Sequence, residues 1–250
     1  MLLRTLDLET SGIEPPAAGV VELGWCDLLA IDGAWLVDFP ASILVHPGHP
    51  IPPETSAIHH ITDEDVARAN PFSGVWPHVI GESATTPDDR PIAAYVAHNA
   101  AFERKFIPAE MTGAVPWICT YKCALRTWPD APAHSNGALR YWLKPDGLRR
   151  DLAALAHRAG PDAYVTAFLA RELLARHPLE TLIAWSAEPA LQVRCHIGKW
   201  RGTPWSEVDT GFLYWVRDRD FSEDILFTVG HELACRQAAA AAAAAARADG

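Results

Sequence analysis

The run Leu2-Leu3-Arg4-Thr5-Leu6-Asp7-Leu8-Glu9-Thr10 limits what this chain can fold into more than any other stretch. It is apolar, β-permissive and closed by the turn residues Ser11-Gly12. Side chains two apart on a strand share a face. Asp7 and Glu9 therefore project together, and Leu6 and Leu8 face the other way. Two carboxylates held side by side on a mostly buried strand repel each other, and a divalent cation relieves the repulsion. An all-oxygen site suits Mg²⁺ or Mn²⁺. The alternative is a solvated strand end, since Asp-x-Glu also arises by chance.

Beyond this strand the chain reads as an α/β domain. Strands are expected over Gly19–Ile31 and, after the Asp32-Gly33 turn, Ala34–Val45 with a break at Pro40. His46–Pro53 reads as a proline-rich loop, and Thr62 caps a helix whose first turn holds Asp63, Glu64 and Asp65. Phe72–Ile80 reads as a helix interrupted at Pro77, and 81–91 as a polar loop. Short strands at Pro91–Ala97 and Trp117–Thr120 alternate with helices over Ala100–Ile107, after Thr120 to Trp128, from the Ser135 cap to Leu143, and over Leu148–Ala156. A long helix opens at Gly160-Pro161 and runs to Arg176. Composition changes near Ala187-Glu188-Pro189. The expected organisation is a catalytic domain over 1–178, a small α+β module over 179–237 with a strand at Leu191–Ile197, and an alanine-rich tail, disordered or a frayed helix, over 238–250.

At 250 residues and 49% hydrophobic, the chain can bury one good core plus a smaller module. No apolar run spans a membrane, and no signal peptide is visible at the N-terminus. Five cysteines without a CxxC pair fit a reduced, cytoplasmic protein. A net charge of −10 argues against tight non-specific nucleic-acid binding, though an enzyme can still grip a few phosphates locally.

Three further pieces could join Asp7 and Glu9. Glu103 closes His98-Asn99-Ala100-Ala101-Phe102-Glu103 at a strand-to-helix transition, where an ordinary helix cap with Phe102 in the core is the plainer reading. Asp162 sits just inside the helix opened by Pro161, where the helix dipole favours a carboxylate. His157 precedes it by five residues, and an imidazole near neutrality suits a base for water. Together these give four acids and one histidine in the order Asp-x-Glu, Glu, His-x-x-x-x-Asp. That set is what two-metal phosphoryl chemistry requires.

The pieces Leu6-Asp7-Leu8-Glu9-Thr10-Ser11-Gly12, His98 to Glu103, and His157-Arg158-Ala159-Gly160-Pro161-Asp162-Ala163 resemble the DEDDh branch of the DnaQ-like 3′→5′ exonucleases. The stretches from Pro50 to Pro53 and Ala57 to Thr62, and Trp117-Ile118-Cys119-Thr120, resemble it too. The resemblance implies a ribonuclease-H-like mixed five-stranded sheet flanked by helices. It implies one metal ion on Asp7, Glu9 and Asp162, a second on Asp7 and Glu103, and His157 as the base. The implied product is a nucleoside 5′-monophosphate, released from the 3′ end of single-stranded or duplex DNA.

The family's loop before its first helix reaches the terminal nucleotide, which makes Ile58, His59 and Ile61 substrate-contact candidates alongside Thr10, Asn99 and Phe102. Plain loop packing, a helix cap and core packing are the competing readings. Glu103 departs from the family's usual aspartate by one methylene, which implies a shifted second metal and greater dependence on Mn²⁺. Gly160-Pro161 is a second departure.

In the tail module, Arg194, Lys199, Arg201, Arg217 and Arg219 interleave with Trp200, Trp205 and Trp215, a pattern suited to a single-stranded groove. Glu207, Asp209, Asp218 and Asp220 nearly cancel that charge, so a packing or docking role stands beside it. Alternatives for the whole chain are an exoribonuclease of the same family, a catalytically weakened nucleic-acid-binding protein, and a zinc protein using Cys119, Cys123 and nearby histidines. The last lacks a second ligand pair. Nothing in the sequence identifies a protein partner.

Overall fold

The computed structural model describes residues 1–79 and 91–248. The polar loop expected over 81–91 lies, apart from Pro91, outside them. The elements in order are β1 (Leu2–Thr10), β2 (Val20–Ile31), β3 (Ala34–Val37), β4 (Ala41–Leu44), α1 (Pro53–His59), α2 (Asp63–Val66), α3 (Phe72–Val79), β5 (Ile92–Ala97), α4 (Glu103–Phe106), α5 (Ala109–Thr112), β6 (Trp117–Cys119), α6 (Thr120–Thr127), α7 (Asn136–Leu143), α8 (Ala159–Leu174), α9 (Leu179–Ala187), α10 (Thr210–Arg217) and α11 (Glu223–Ala248).

Two compact units form: Met1–Cys123 with Asp130–Ser186, and Ala124–Pro129 with Ala187–Gly250. In the first, the strand order is β3-β2-β1-β5-β6. β1 pairs antiparallel with β2 and parallel with β5, which pairs parallel with β6. β3 and β4 take successive halves of β2, so the expected third strand is split at Asp38–Pro40 and the mixed five-stranded sheet counts six strands. Proline has no N–H for a ladder, which accounts for the split.

The two faces of β1 carry the fold and the chemistry separately. Leu6 and Leu8 enter a core with Leu23, Val75, Trp76 and Val79. Each such leucine contributes roughly 1.5–3 kcal/mol by leaving water. On the other face, Thr5 Oγ1 donates to the Ala163 carbonyl of α8 at 3.0 Å, so Asp7 and Glu9 share the α8 side. Arg4, buried in the same strand, is held by Asp27 through Nε and Nη2 at 2.8 and 2.6 Å and also donates to the Val79 carbonyl.

Helix α8 lies against β1 and β2 and buries small residues, among them Ala159, Gly160, Ala163 and Ala167. The approach is closest at Gly24, where a Cβ would come within 2.0 Å of the Ala159 backbone. Gly24 pairs with Asp7 across the ladder. Gly24→Ala is therefore expected to force helix and sheet apart, at a cost of about 3 kcal/mol or more. A urea-unfolding midpoint that stayed at the wild-type value would contradict this packing.

Several expectations need correction. Leu148–Ala156 forms turns rather than a helix. There the Arg140 side chain takes the Ala153 carbonyl, Arg149 is drawn to Asp151, and His157 sits at φ 59°, outside helical backbone. The helix expected over Ala100–Ile107 shrinks to Glu103–Phe106, because Asn99 is left-handed at φ 71° and its carbonyl accepts from Phe102 N–H at 2.8 Å, closing a turn first. The stretch around Ala57 is not a loop, since α1 begins at Pro53, a residue favoured in the first helical turn. α8 starts at Ala159, just before Gly160-Pro161.

In the second unit, the strand expected at Leu191–Ile197 reduces to a bridge between Arg194 and Pro204. Its core contains Cys195, Trp205, Leu213, Val216 and Val229. The alanine run continues α11 as exposed helix. Among the described residues no helix is long and apolar enough to cross a membrane.

Candidate active site

The end of β1 sets two carboxylates beside the start of α8. Asp7, Glu9 and Asp162 each offer an oxygen, and those atoms lie within 4.8 Å of one another. Glu9 and Glu103 are buried, and Asp7 and Asp162 keep part of their surface accessible. Glu103 is the first residue of α4, and its Oε2 is buried without a hydrogen-bond partner.

The electrostatics are those of an uncompensated anionic cluster. Burial first, then repulsion from Asp162, Glu103, Glu9 and Glu22, holds the Asp7 carboxyl well above its ordinary range. Burial, Asp162 and Glu22 push Glu9 up to about 8 against the pull of Arg158. Burial pushes Glu103 up to about 8. Asp162 is also raised, mainly by burial, with the His157 N–H opposing. Buried carboxylates that lack cationic partners in proportion, together with an orphaned carboxylate oxygen, are the donor set that a hard divalent cation fits.

His157 is exposed on the turn before α8. Its backbone N–H donates to Asp162 Oδ2 at 2.8 Å, which fixes the left-handed turn and ties the histidine to the cluster. Asn136 secures the other side, with Nδ2 donating to the Asp162 carbonyl at 3.1 Å and to Thr166 Oγ1 at 3.2 Å.

Two residues of consequence escaped the sequence reading. Glu22 is buried opposite Glu9 in the ladder, and its carboxylate accepts from Arg158 Nε and Nη2, both at 2.8 Å, from Ala159 N–H at 3.0 Å and from Ser42 Oγ at 2.8 Å. Burial works to raise its pKa, but these hydrogen bonds prevail and lower it. Glu22 thus stays ionised and clamps the first turn of α8 to β2. The available signal was a single acid inside the apolar run Val20-Val21-Glu22-Leu23. Arg158 had no sequence signal of its own.

The remaining candidates spread out. Thr10 Oγ1 donates to the Gly12 carbonyl at 2.7 Å at the strand end. Ile58 is exposed on α1, whereas His59 is buried and Ile61 joins a core with Val21, Ile51 and Val66. Asn99 is exposed, and Phe102 packs on Phe106 with ring centroids 5.4 Å apart. His98 bridges Thr120 Oγ1 at 3.0 Å and the His134 carbonyl at 2.8 Å, and burial lowers its pKa to about 4. It is a neutral strut between β5, α6 and the loop before α7.

The family model described as Exonuclease matches residues 5–170. The chain is 35% identical over 250 residues to exodeoxyribonuclease 10 of Escherichia coli strain K12, covering 93% of this chain and 99% of that protein. It is 28% identical over 178 residues to DNA polymerase III subunit epsilon of Treponema pallidum, covering 68% and 75%. Exonuclease X solved in complex with 5′-overhanging duplex DNA superposes with a TM-score of 0.57 and 34% identity, over 74% of this chain and 99% of that one. Exonuclease I of E. coli, solved with a dT13 oligonucleotide, shares the fold at a TM-score of 0.54 and 14% identity, over 72% and 42%. On its sheet order, its family match and its identity to a relative over nearly the whole of both chains, this protein belongs to the DEDDh branch of the DnaQ-like 3′→5′ exonucleases.

Proposed function

We propose that the protein is a divalent-metal-dependent 3′→5′ exodeoxyribonuclease that releases nucleoside 5′-monophosphates. The observation that carries this reading is the convergence of Asp7, Glu9 and Asp162 within 4.8 Å, with Glu103 contributing to the field at Asp7. DNA as substrate draws its support from exodeoxyribonuclease 10 and from exonuclease X solved in complex with 5′-overhanging duplex DNA.

In this reading Asp7, Glu9 and Asp162 hold one Mg²⁺ or Mn²⁺ ion, and Asp7 and Glu103 hold a second. Bound there, the ions supply positive charge for the attacking and leaving oxygens of the phosphodiester. His157 accepts the proton of the attacking water at its imidazole, placed by the amide bond to Asp162. Ile58 and Asn99, both exposed, meet the terminal nucleotide. Thr10 and Phe102 are partly buried beside it, and buried His59 and Ile61 are tied together by the Ile61 N–H, which donates to His59 Nδ1 at 3.0 Å. Five free cysteines, four of them buried, suit a cytoplasmic location.

The raised carboxyls make metal binding a proton-releasing event. Titrating the metal-free chain with Mn²⁺ at pH 6.5, in buffers of different ionisation enthalpy, is expected to release protons, since Glu9 and Glu103 titrate near 8 and Asp7 is raised beside them. Release is expected to fall away by pH 9, and a heat at pH 6.5 that does not vary with the buffer's ionisation enthalpy would refute the assignment.

The activity test uses 5′-labelled single-stranded and duplex DNA with matched RNA, each with Mg²⁺, Mn²⁺ or EDTA. A ladder of shortened DNA that EDTA abolishes is expected. Faster loss of RNA would favour an exoribonuclease, and intact substrate with retained binding would mark a weakened binding protein.

A further inference from the structure

The second unit carries a surface feature that the cluster chemistry leaves unused. Its core is closed around Trp205, Leu213 and Val216, yet α10 presents Trp215 with 42% of its surface exposed. Trp200, Phe212 and Trp215, with Lys199 and Asp209, line an open concavity of about 570 Å³. The Phe212 and Trp215 rings are stacked, 5.3 Å apart at 16°. Trp200 lies 6.3 Å from Phe212 at 45°.

Cations rim these rings. Lys199 Nζ stands 5.3 Å from the Trp200 ring centroid, and the Arg219 guanidinium lies over Trp215 at 4.2 Å. Arg217 is engaged with Asp218 at 3.0 Å, but Lys199 and Arg219 make no ion pair among the described residues. The Asp209 carboxylate is occupied at the helix start, where it accepts from Phe212 N–H at 3.1 Å.

Partly exposed aromatic rings with cations over them that make no ion pair among the described residues match a strand whose bases stack in place of those cations and whose phosphates then receive the charge. The volume is that of a small-ligand pocket, enough for a base with its sugar.

We propose that this concavity is a nucleotide-stacking site for single-stranded DNA, in addition to the carboxylate cluster. A base enters among Trp200, Phe212 and Trp215, and Lys199 and Arg219 meet the flanking phosphates. The choice of DNA rests on the exonuclease reading. A second hold within the same chain raises the effective concentration of strand available to the nuclease.

The test measures binding of fluorescein-labelled (dT)15 to the full chain in EDTA at several salt concentrations. Trp215→Ala is expected to weaken binding about tenfold, with Trp215→Phe close to wild type. Arg219→Glu is expected to flatten the salt dependence by roughly 0.7 in log–log slope for each phosphate no longer neutralised. Melting temperature and turnover of thymidine 5′-monophosphate p-nitrophenyl ester, a single-nucleotide substrate assayed with Mn²⁺, should stay unchanged in all three variants. Wild-type affinity and slope in both Trp215→Ala and Arg219→Glu would overturn the site, whether or not the ester is cleaved. Absent ester turnover with the binding differences intact would overturn the exonuclease reading alone.

Discussion

Asp7→Asn is expected to leave less than about a thousandth of wild-type turnover while raising the melting temperature of the metal-free chain. Residues that merely orient metal ligands are worth roughly 10–100-fold in activity or affinity, so a ligand shared by both proposed ions is worth more. The gain in stability follows from the repulsion that Asp162, Glu103, Glu9 and Glu22 impose on Asp7. A carboxyl whose folded pKa is raised keeps its proton longer in the folded than in the unfolded chain. Wild-type stability therefore falls as pH rises from the ordinary carboxyl range through about 8, where Glu9 and Glu103 ionise. The asparagine variant loses one source of that penalty and should fall less steeply. Each kcal/mol relieved corresponds to about 2–4 °C at this chain length. Thermal melts in EDTA from pH 5 to pH 9, paired with turnover in Mg²⁺, check both signs. Variants that only damage the fold lower both quantities, so lower melting at pH 8 would defeat the assignment.

His157→Ala is expected to lower kcat by about 10²–10⁴-fold, the range for a lost general base. KM and the heat of metal binding should change little. The imidazole is exposed, and the turn is held by the backbone N–H, which alanine retains. Asp162→Ala differs in kind, because it removes a cluster carboxylate and releases the His157 turn together. A His157→Ala enzyme with near-wild-type kcat would leave the water without its proposed base. Intact metal binding in that variant would confirm that the loss is one of proton transfer.

The parts of the site legible in sequence were those with fixed spacing. Glu103, His157 and Asp162 joined the site only as a set matching the family resemblance, since each has a plain local reading as a helix-start acid or a surface histidine, whereas strand alternation alone put Asp7 and Glu9 on one face. Thr62 is a similar case: Asp65 reaches back to its N–H at 2.8 Å, as the acidic first turn implied. Glu22 and Arg158 were illegible because their partnership spans 136 residues and depends on which strand neighbours β1. The helix expected at Leu148–Ala156 failed for a related reason. Arg140 takes the Ala153 carbonyl and Asp162 takes the His157 N–H, and no local pattern in Leu148–Ala156 records either partner. Ile61 shows the limit from the other side, since a loop apolar residue reads the same whether it faces a nucleotide or a core.

Gly24 sets β2 main chain directly against the main chain of Ala159, three residues before Asp162 and across the ladder from Asp7. The spacing between the first and last acids is thus gauged by peptide groups rather than by interchangeable hydrocarbon. A side chain at position 24 would stretch that ruler directly, which a change of volume at a core leucine on the other face of the sheet does not.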